Sequence, residues 1–423
     1  SILLNRTGPG AGEVVGVRAL ADRIARFGSI RFDELVEAAL YDAADGFFAS
    51  LGEGGRGRAG RAGSDFITSA EVGPLFGAVL ARWIDARWEE LDRPDPFVVV
   101  EAGAGRGALA ISILAASPVC TPALRYVLVE RSAALRAQQA EHLALSHPAE
   151  VLGPDGDGDA DGGVSSPAAG TGPLVCALPD LPAQPVSGVV LANELLDNVP
   201  FRLFERVESV EADELGGSRR LRRPIPPSSG SAPRWAEVRV TVDAGRFVEL
   251  LVPADDDLAG RLDSLAPDAR PGERVPWQAD AGEWLRRALG VLRRGSVLVF
   301  DYTSATTAQL AARPVDEWVR TYRGHERGTA PLESPGTQDI TVEVAVDQLA
   351  TVAAPDEQHR QDEWLRRWGI EGMVAEGRRI WSERAGVGDL AALRARSRAV
   401  EAEALCDPTG LGAFGVLEWR VPH

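Results

Sequence analysis

Strand-like and helix-like patterns alternate through the central part of this chain. Continuous apolar runs, rich in β-branched residues, occupy 97–100, 126–129, 189–192 and 297–300, and stretches with helical spacing lie between them. Apolar runs of this kind are typical of strands that are covered on both faces. The alternation of strand and helix therefore predicts an α/β fold with a parallel, doubly wound sheet.

Helical spacing also marks the two ends of the chain. Residues 14–27 and 31–43 predict two amphipathic helices, and a long helix is expected to begin near Ser69 and to end at Leu91. Near the other end, residues 364–400 predict two or three helices before a last strand, FGVLEWRV. We expect the N-terminal helices to form a cap over the ligand site.

Two stretches interrupt the alternation. Residues 150–173 are dominated by Gly, Asp, Ser and Pro, so they predict a disordered surface loop. Residues 201–275 contain several segments of alternating apolar and polar residues, which predict an inserted antiparallel β region. The expected organisation is a helical cap at 1–90, a sheet domain at 91–305 and a substrate-side segment with the last strand at 306–423.

A glycine turn follows the first core strand. Gly103, Gly105 and Gly107 begin two positions after Glu101 and lead into an apolar helix. Such a turn brings the backbone and the free N–H groups of a helix close to a ligand. The pattern G-x-G-x-x-G/A also allows a dinucleotide, and a purely structural turn is a third alternative. An acidic residue before the first glycine favours the amino group of S-adenosyl-L-methionine over a pyrophosphate.

Polar residues stand where two further strands end. Glu130 follows the second strand, where an acid often holds ribose hydroxyls, although a surface acid is the alternative. Asn193, Glu194 and Asp197 follow the third strand, at the edge of the sheet where such folds bind ligands. We expect these residues to be functional.

A third polar group precedes the long N-terminal helix. Thr68, Ser69 and Glu71 have the residue types of a helix cap, and they would equally suit the lining of a ligand pocket.

Composition excludes several classes of protein. The formal net charge of −17 argues against a general binder of nucleic acids or anionic membranes. All 45 basic residues are arginine, which excludes a Walker A loop, a pyridoxal phosphate Schiff base and a lysine nucleophile. The bias towards Arg, Ala and Gly indicates a GC-rich, bacterial genome.

Cysteine usage and hydropathy indicate the compartment. The three cysteines, Cys120, Cys176 and Cys406, are far apart, so neither a disulfide framework nor a cysteine zinc site is expected, and a reducing cytoplasm is the prediction. No apolar run approaches the roughly 20 residues of a membrane-spanning helix. The first residues also lack the order of a secretory signal.

Several motifs in a fixed order resemble the MidA family of class I S-adenosylmethionine-dependent methyltransferases, which have a Rossmann-like core. They are ALYDAADGFFAS, GSDFITSAEVGPLFG, VEAGAGRGAL, LVERSAALRAQQ, LANELLDNVP, VFDY and TYRGHERGTAPLESPGTQDITVEV. The chain departs from the family where relatives tend to have proline (Ala70, Ala104), aromatic residues (Leu195, Leu196) and glycine (Thr303). These departures affect pocket shape more than cofactor identity.

The resemblance implies roles for the residues that bind the cofactor. Thr68, Ser69 and Glu71 would fold over S-adenosylmethionine, and the three glycines would pass beside its methionine part. Glu101 would lie near the amino group, and Glu130 would accept hydrogen bonds from both ribose hydroxyls.

The resemblance also implies a protein substrate, since mitochondrial members methylate an arginine of a complex I subunit and are needed for assembly of that complex. Glu194 and Asp197, beside Asn193, are then the acids expected to bind a guanidinium, because carboxylates match its forked geometry. Asp301 and His325 are further candidates, the histidine as a proton acceptor or as an ordinary loop residue.

Two alternatives stay open: an assembly factor that binds S-adenosylmethionine without turnover, and an NAD-dependent oxidoreductase.

Overall fold

The computed structural model describes residues 17–50, 68–153, 168–207, 235–323, 326–386 and 389–422. The helices in this part of the chain are α1 Val17–Phe27, α2 Phe32–Tyr41, α3 Phe47–Ser50, α4 Ser69–Val72, α5 Pro74–Glu90, α6 Ala108–Ala115, α7 Ala133–Gln139, α8 Pro148–Leu152, α9 Asp256–Leu265, α10 Ala279–Val291, α11 Thr307–Ala311, α12 Val315–Trp318, α13 Val346–Ala350, α14 Gln361–Arg367, α15 Ile370–Arg384 and α16 Leu390–Leu405.

The strands are β1 Ile30–Arg31, β2 Phe97–Ala102, β3 Leu124–Val129, β4 Leu174–Leu178, β5 Val186–Asn193, β6 Arg202–Arg206, β7 Trp235–Asp243, β8 Arg246–Pro253, β9 Arg274–Trp277, β10 Leu292–Asp301, β11 Thr303–Ser304, β12 Val319–Arg323, β13 Glu326–Arg327, β14 Asp339–Val342, β15 Val344–Ala345, β16 Glu357–Arg360 and β17 Gly415–Val421.

The central sheet has seven strands in the order β16-β17-β10-β5-β2-β3-β4. Strands β4, β3, β2, β5 and β10 are parallel, and β17 is antiparallel to both of its neighbours. The predicted doubly wound α/β sheet is confirmed. Because the chain adds β3 and β4 on one side of β2, and β5 and β10 on the other, the strand order reverses between β2 and β5. Open α/β sheets bind ligands at the carboxyl ends of the strands beside such a point.

Long apolar runs fill the central strands because both faces of the sheet are covered. On β2, Val99 contributes to the core with Trp83 of α5 and Ile113 of α6. Its neighbour Val100 lies in a second core with Trp284 of α10. All five side chains are fully buried. The two packed faces hold the carboxyl edge of the sheet in place as the base for a site.

The inserted β region forms a second sheet, with β8-β7-β6-β9 antiparallel and β1 added beside β7. The predicted antiparallel pairing is confirmed for the described strands, whereas α9 was not predicted. This sheet packs on α2 through Leu35, Phe201 and Val238. The N-terminal helices and the insertion therefore share one core.

Several element boundaries differ from the predictions. The predicted long helix is two helices, because Gly73, at φ +159°, and Pro74 separate α4 from α5. The sequence predicts a glycine-rich loop at 46–66, of which residues 47–50 form the short helix α3 and residues 51–66 lie outside the described part of the chain. The helix predicted over 132–145 ends at Gln139.

The edges of the predicted disordered loop at 150–173 are ordered. Glu150 lies in α8, and the carbonyl of Ala168 accepts a hydrogen bond from Arg125 at 3.3 Å. Residues 154–167 lie outside the described part of the chain. Strand β4, directly after this stretch, was missed.

The division at residues 90 and 305 stays a prediction. Of the helices in the described ranges, none is long and apolar enough to cross a membrane.

Candidate active site

The glycine turn after β2 has the conformation that its sequence predicts. Gly103, Gly105 and Gly107 have φ values of +72°, +52° and +83°, in the left-handed region that favours glycine. The N–H groups of Gly103 and Ala104 donate to the carbonyl of Val129 at 2.9 and 3.0 Å, which fixes the turn to the end of β3. A Cβ atom placed on Gly105 would meet nothing within 4 Å. The turn therefore borders open space where a ligand can approach the backbone.

Glu130 connects this turn with the loop after β3. Its Oε2 accepts a hydrogen bond from the N–H of Gly105 at 2.9 Å, and its Oε1 accepts one from the N–H of Ser132 at 2.7 Å. The side chain is buried, and this burial raises the pKa of the carboxyl. An ionised carboxylate accepts about four hydrogen bonds, so each oxygen keeps capacity for one ribose hydroxyl. The geometry fits the predicted role of Glu130.

Gln139 is a further candidate site residue, which the sequence analysis did not identify. Its Nε2 donates to the carbonyl of Gly105 at 2.7 Å, whereas its Oε1 is buried without a hydrogen-bond partner. Buried polar atoms are normally paired, so an unpaired acceptor beside the turn indicates a ligand that donates to it. The residue stands at the end of the LVERSAALRAQQ motif, which was the only signal available for it.

Glu101 faces the interior of the protein. Its Oε2 accepts a hydrogen bond from the hydroxyl of Tyr126 at 2.7 Å, and the N–H of Ala110 also bonds to the carboxylate. These contacts anchor β2 to β3 and to the first turns of α6. Burial raises the pKa of the Glu101 carboxyl to about 8. The contact of Glu101 with the amino group of the cofactor stays a prediction.

The raised pKa makes stability depend on pH. The folded protein keeps the Glu101 proton up to about pH 8, whereas the unfolded chain loses it near the ordinary value of about 4.3, so the stabilisation is lost as pH rises. Between pH 6 and 8, the free energy of unfolding of the Glu101→Gln variant should fall by roughly 1–3 kcal/mol less than that of the wild type. Urea unfolding at both pH values measures this difference. The exposed Glu383→Gln variant should behave as the wild type, and equal slopes for all three proteins would contradict the assignment.

Glu194 carries the strongest signs of a functional residue. It has a left-handed φ of +51°, which is strained for a residue with a side chain, and its N–H is held by the carbonyl of Phe300 at 2.8 Å. Its Oε1 accepts hydrogen bonds from the N–H of Ser69 at 2.8 Å and from Nδ2 of Asn193 at 3.1 Å. Its Oε2 is buried without a partner, as is Oδ1 of Asn193. These acceptors suit a ligand that donates N–H groups.

The carboxyl of Glu194 also has a raised pKa, which lies close to neutral pH. Burial, together with the negative charges of Asp301 and Glu71, raises the pKa of its carboxyl to about 8. Strongly perturbed carboxyls in a concave site are typical of residues that bind or exchange protons with a substrate.

Asp197 and Asp301 complete a cluster of acids with Glu194. Asp197 is buried, and its Oδ1 has no hydrogen-bond partner. Burial and the charge of Asp301 raise the pKa of Asp197. Asp301 accepts hydrogen bonds from the N–H groups of Leu196 and Tyr302, both at 2.8 Å. Asp301 therefore holds the short 3₁₀ helix at 196–198 that carries Asp197, and burial raises its own pKa to about 7.

The N-terminal polar group caps α4 and also holds Glu194. The N–H of Thr68 donates to Oε2 of Glu71 at 3.4 Å, as in a helix cap. Ser69, which is fully buried, contacts Glu194 through its N–H, and its hydroxyl donates to Oε1 of Gln361 at 3.1 Å. A contact of these residues with the cofactor stays a prediction.

The cofactor turn and the acid cluster are neighbours. A Cβ atom on Gly103 would lie 2.9 Å from Cδ1 of Leu195, in the loop that carries Glu194 and Asp197. The structure thus brings the predicted groups together at the ends of β2, β3 and β5. His325 lies outside the described residues, so its role is untested.

Comparison with known proteins agrees with this geometry. Residues 79–362 match the model of a family of S-adenosyl-L-methionine-dependent methyltransferases. The mitochondrial protein arginine methyltransferase NDUFAF7 of Danio rerio is 24% identical, covering 80% of this chain and 71% of the relative. The Mus musculus protein of that name is 28% identical, covering 80% of this chain and 69% of the relative.

A solved structure shows the cofactor class. A protein from Burkholderia thailandensis, crystallised bound to S-adenosyl-homocysteine, is 26% identical and superposes with a TM-score of 0.70 over 98% of this chain and 95% of its own. The NAD alternative is therefore set aside. The chain belongs to the MidA-like family of methyltransferases, and its cofactor is S-adenosyl-L-methionine.

Proposed function

We propose that this enzyme methylates an arginine side chain of a protein. The observation that carries the proposal is the pair of buried, partnerless carboxylate oxygens of Glu194 and Asp197 beside the cofactor turn. The names of the NDUFAF7 relatives support the same acceptor. A guanidinium presents planar N–H donors in a fork, which matches acceptors of this kind.

The acids have two tasks in this proposal. S-adenosyl-L-methionine supplies an electrophilic methyl group. Glu194 and Asp197 hold the guanidinium and orient one nitrogen, since positioning of the reacting atoms supplies much of the rate in such displacements. When that nitrogen is methylated it must lose a proton, and Glu194 in its ionised form accepts it. A cation bound beside Glu194 lowers the pKa of its carboxyl from about 8 and so ionises it.

The test is transfer of tritiated methyl groups from S-adenosylmethionine into the proteins of a bacterial extract, followed by acid hydrolysis. We expect label in protein that co-migrates with methylarginine, and much less label with the Glu194→Gln variant. Label in another amino acid would overturn the arginine assignment. Binding of S-adenosylhomocysteine without any labelled protein would favour the assembly factor that binds without turnover.

The partner and the compartment are also proposals. A respiratory complex subunit is the substrate favoured by the family resemblance. A reducing, cytoplasmic location rests on cysteine usage, and Cys120, Cys176 and Cys406 are all free thiols in the structure.

A further inference from the structure

A cavity of about 1060 Å³ opens beyond the end of β10, next to the acid cluster. Tyr302, which follows Asp301 directly, forms part of its wall together with Phe414, and the centroids of the two rings are 4.1 Å apart. In the sheet, β5 lies between β2 and β10. The cofactor turn follows β2, Glu194 follows β5, and Tyr302 follows β10. The cavity therefore lies on the side of Glu194 that faces away from the cofactor turn.

Hydrogen bonds link the two aromatic residues of the cavity wall, Tyr302 and Phe414, to residues around the acid cluster. The N–H of Tyr302 donates to Asp301 at 2.8 Å. Burial, together with the negative charges of Glu194 and Asp197, raises the pKa of the Tyr302 hydroxyl. The carbonyl of Phe414 accepts a hydrogen bond from the N–H of Gln361 at 2.8 Å, and the side chain of Gln361 binds Ser69. The cavity thus borders the groups that hold Glu194.

The described residues that line the cavity include two arginines and one glutamate, so positive charge is in excess. Glu343 is the carboxylate among the described lining residues, and it is shared between two guanidinium groups. It accepts hydrogen bonds from Arg313 at 2.5 Å and from Arg320 at 2.8 Å, and from the hydroxyl of Ser304 at 2.8 Å. The side chains of Arg313 and Arg320 keep 34% and 23% of their exposure. One positive charge is therefore left over on accessible guanidinium groups.

We propose that this cavity binds the protein segment around the methyl acceptor, and that Arg320 selects a glutamate or aspartate side chain near that acceptor. The proposal rests on the proposed function, because the acceptor arginine would reach Glu194 and Asp197 while its acidic neighbour reaches Arg320. The cavity and the acid cluster then present opposite charges to two side chains of one segment. Arg320 also lies over the ring of Tyr302, with its Cζ atom 5.6 Å from the ring centroid, which keeps its guanidinium inside the cavity.

The probes are acetylated and amidated nonapeptides with a central arginine in a glycine, alanine and serine background. One set carries a single glutamate at each flanking position in turn, and the matched set carries glutamine there. Blocked ends ensure that a carboxylate comes only from the glutamate. Methyl transfer is measured with tritiated S-adenosylmethionine, and binding by fluorescence anisotropy at saturating S-adenosylhomocysteine.

The wild type should prefer a glutamate peptide over its glutamine partner by about 10-fold in kcat/KM at one or two positions, since charge-assisted hydrogen bonds are strong. The Arg320→Gln variant leaves Arg313 balanced by Glu343, so its preference should fall below about 2-fold. Arg320→Lys keeps the charge and should retain part of the preference. Arg379→Gln removes an exposed arginine of α15 outside the cavity and should keep all of it. Unchanged affinity for S-adenosylhomocysteine shows that each variant is folded.

Equal methylation of glutamate and glutamine peptides by the wild type would overturn the cavity proposal and leave arginine methylation supported. A preference that survives Arg320→Gln would overturn the role of Arg320. Glutamate-dependent binding that is lost in Arg320→Gln, without any methylation, would support the cavity and contradict the proposed function. Neither binding nor methylation of any peptide would overturn both.

Discussion

Replacing Glu194 with glutamine is expected to lower the rate of methyl transfer by roughly 10²- to 10⁴-fold, the usual contribution of a positioned acid or base. Glutamine has nearly the same shape as glutamate. Its amide oxygen can still accept the hydrogen bonds that Ser69 and Asn193 donate to Oε1 of Glu194 in the wild type. It removes the negative charge that holds the guanidinium and the site that takes its proton. The initial rate of label transfer into the protein fraction that the wild type labels measures the effect.

Measuring the affinity for the cofactor product shows whether the Glu194→Gln variant has lost catalysis alone or has also lost its fold. The affinity for S-adenosylhomocysteine, measured by calorimetry, should change by less than about 3-fold, because glutamine keeps an acceptor for the hydrogen bonds from Ser69 and Asn193 that hold this side chain. The matched control is Glu283→Gln, which removes a carboxylate from the surface pair with Arg286 and should leave the rate unchanged. A Glu194→Gln enzyme that transfers methyl groups at the wild-type rate would remove Glu194 from the mechanism.

The wild-type rate should also depend on pH in a defined direction. The free enzyme carries Glu194 mostly protonated below about pH 8. The value of kcat/KM should therefore rise with pH and level off above that value, since the acceptor binds the ionised form. The residual activity of Glu194→Gln should lack this rise.

Replacing Glu130 with alanine is expected to weaken the binding of S-adenosylhomocysteine by roughly 10- to 100-fold. The reason is that the change removes the acceptor of the ribose hydroxyls and also leaves the N–H groups of Gly105 and Ser132 without their partner. Loss of a buried hydrogen-bond partner costs roughly 1–3 kcal/mol, which corresponds to this range. Calorimetric titration of S-adenosylhomocysteine into both proteins measures the change.

Two further variants show how much of the loss belongs to the ribose contact. Glu130→Gln keeps one acceptor and should lose affinity to an intermediate degree. Glu141→Ala removes an exposed acid just beyond α7 and should bind as the wild type does. If Glu130→Ala is folded and binds S-adenosylhomocysteine within about 2-fold of the wild type, Glu130 has no role in ribose binding.

The sequence predicted those features that depend on local patterns. The core strands β2, β3, β5 and β10 are apolar because both of their faces are covered, so their runs were visible without any knowledge of contacts. The glycine turn was equally visible, because the left-handed backbone of Gly103, Gly105 and Gly107 restricts the residues that fit there. Strand β4 was missed because it is a short edge strand after a low-complexity stretch.

Contacts between distant parts of the chain were beyond the reach of local patterns. Ser69 and Glu194 are 125 residues apart, and no periodicity in either segment indicates that they touch. The same holds for the unpaired Oε1 of Gln139 and for the cavity beside Tyr302. For Glu101 the sequence suggested only a contact with a ligand. In the structure its carboxylate also accepts a hydrogen bond from the hydroxyl of Tyr126, which the sequence did not indicate.

The place of β17 in the sheet has a consequence for biosynthesis. This strand lies between β10 and β16, and both of its neighbours precede it in the chain. A nascent polypeptide that has reached β16 therefore still has an unpaired edge on β10, and exposed edges of this kind are templates for aggregation. The cofactor turn and the loop that carries Glu194 and Asp197 are therefore translated long before the sheet that supports them is complete. Translation that stops before Gly415 should accordingly yield insoluble chains rather than a smaller enzyme.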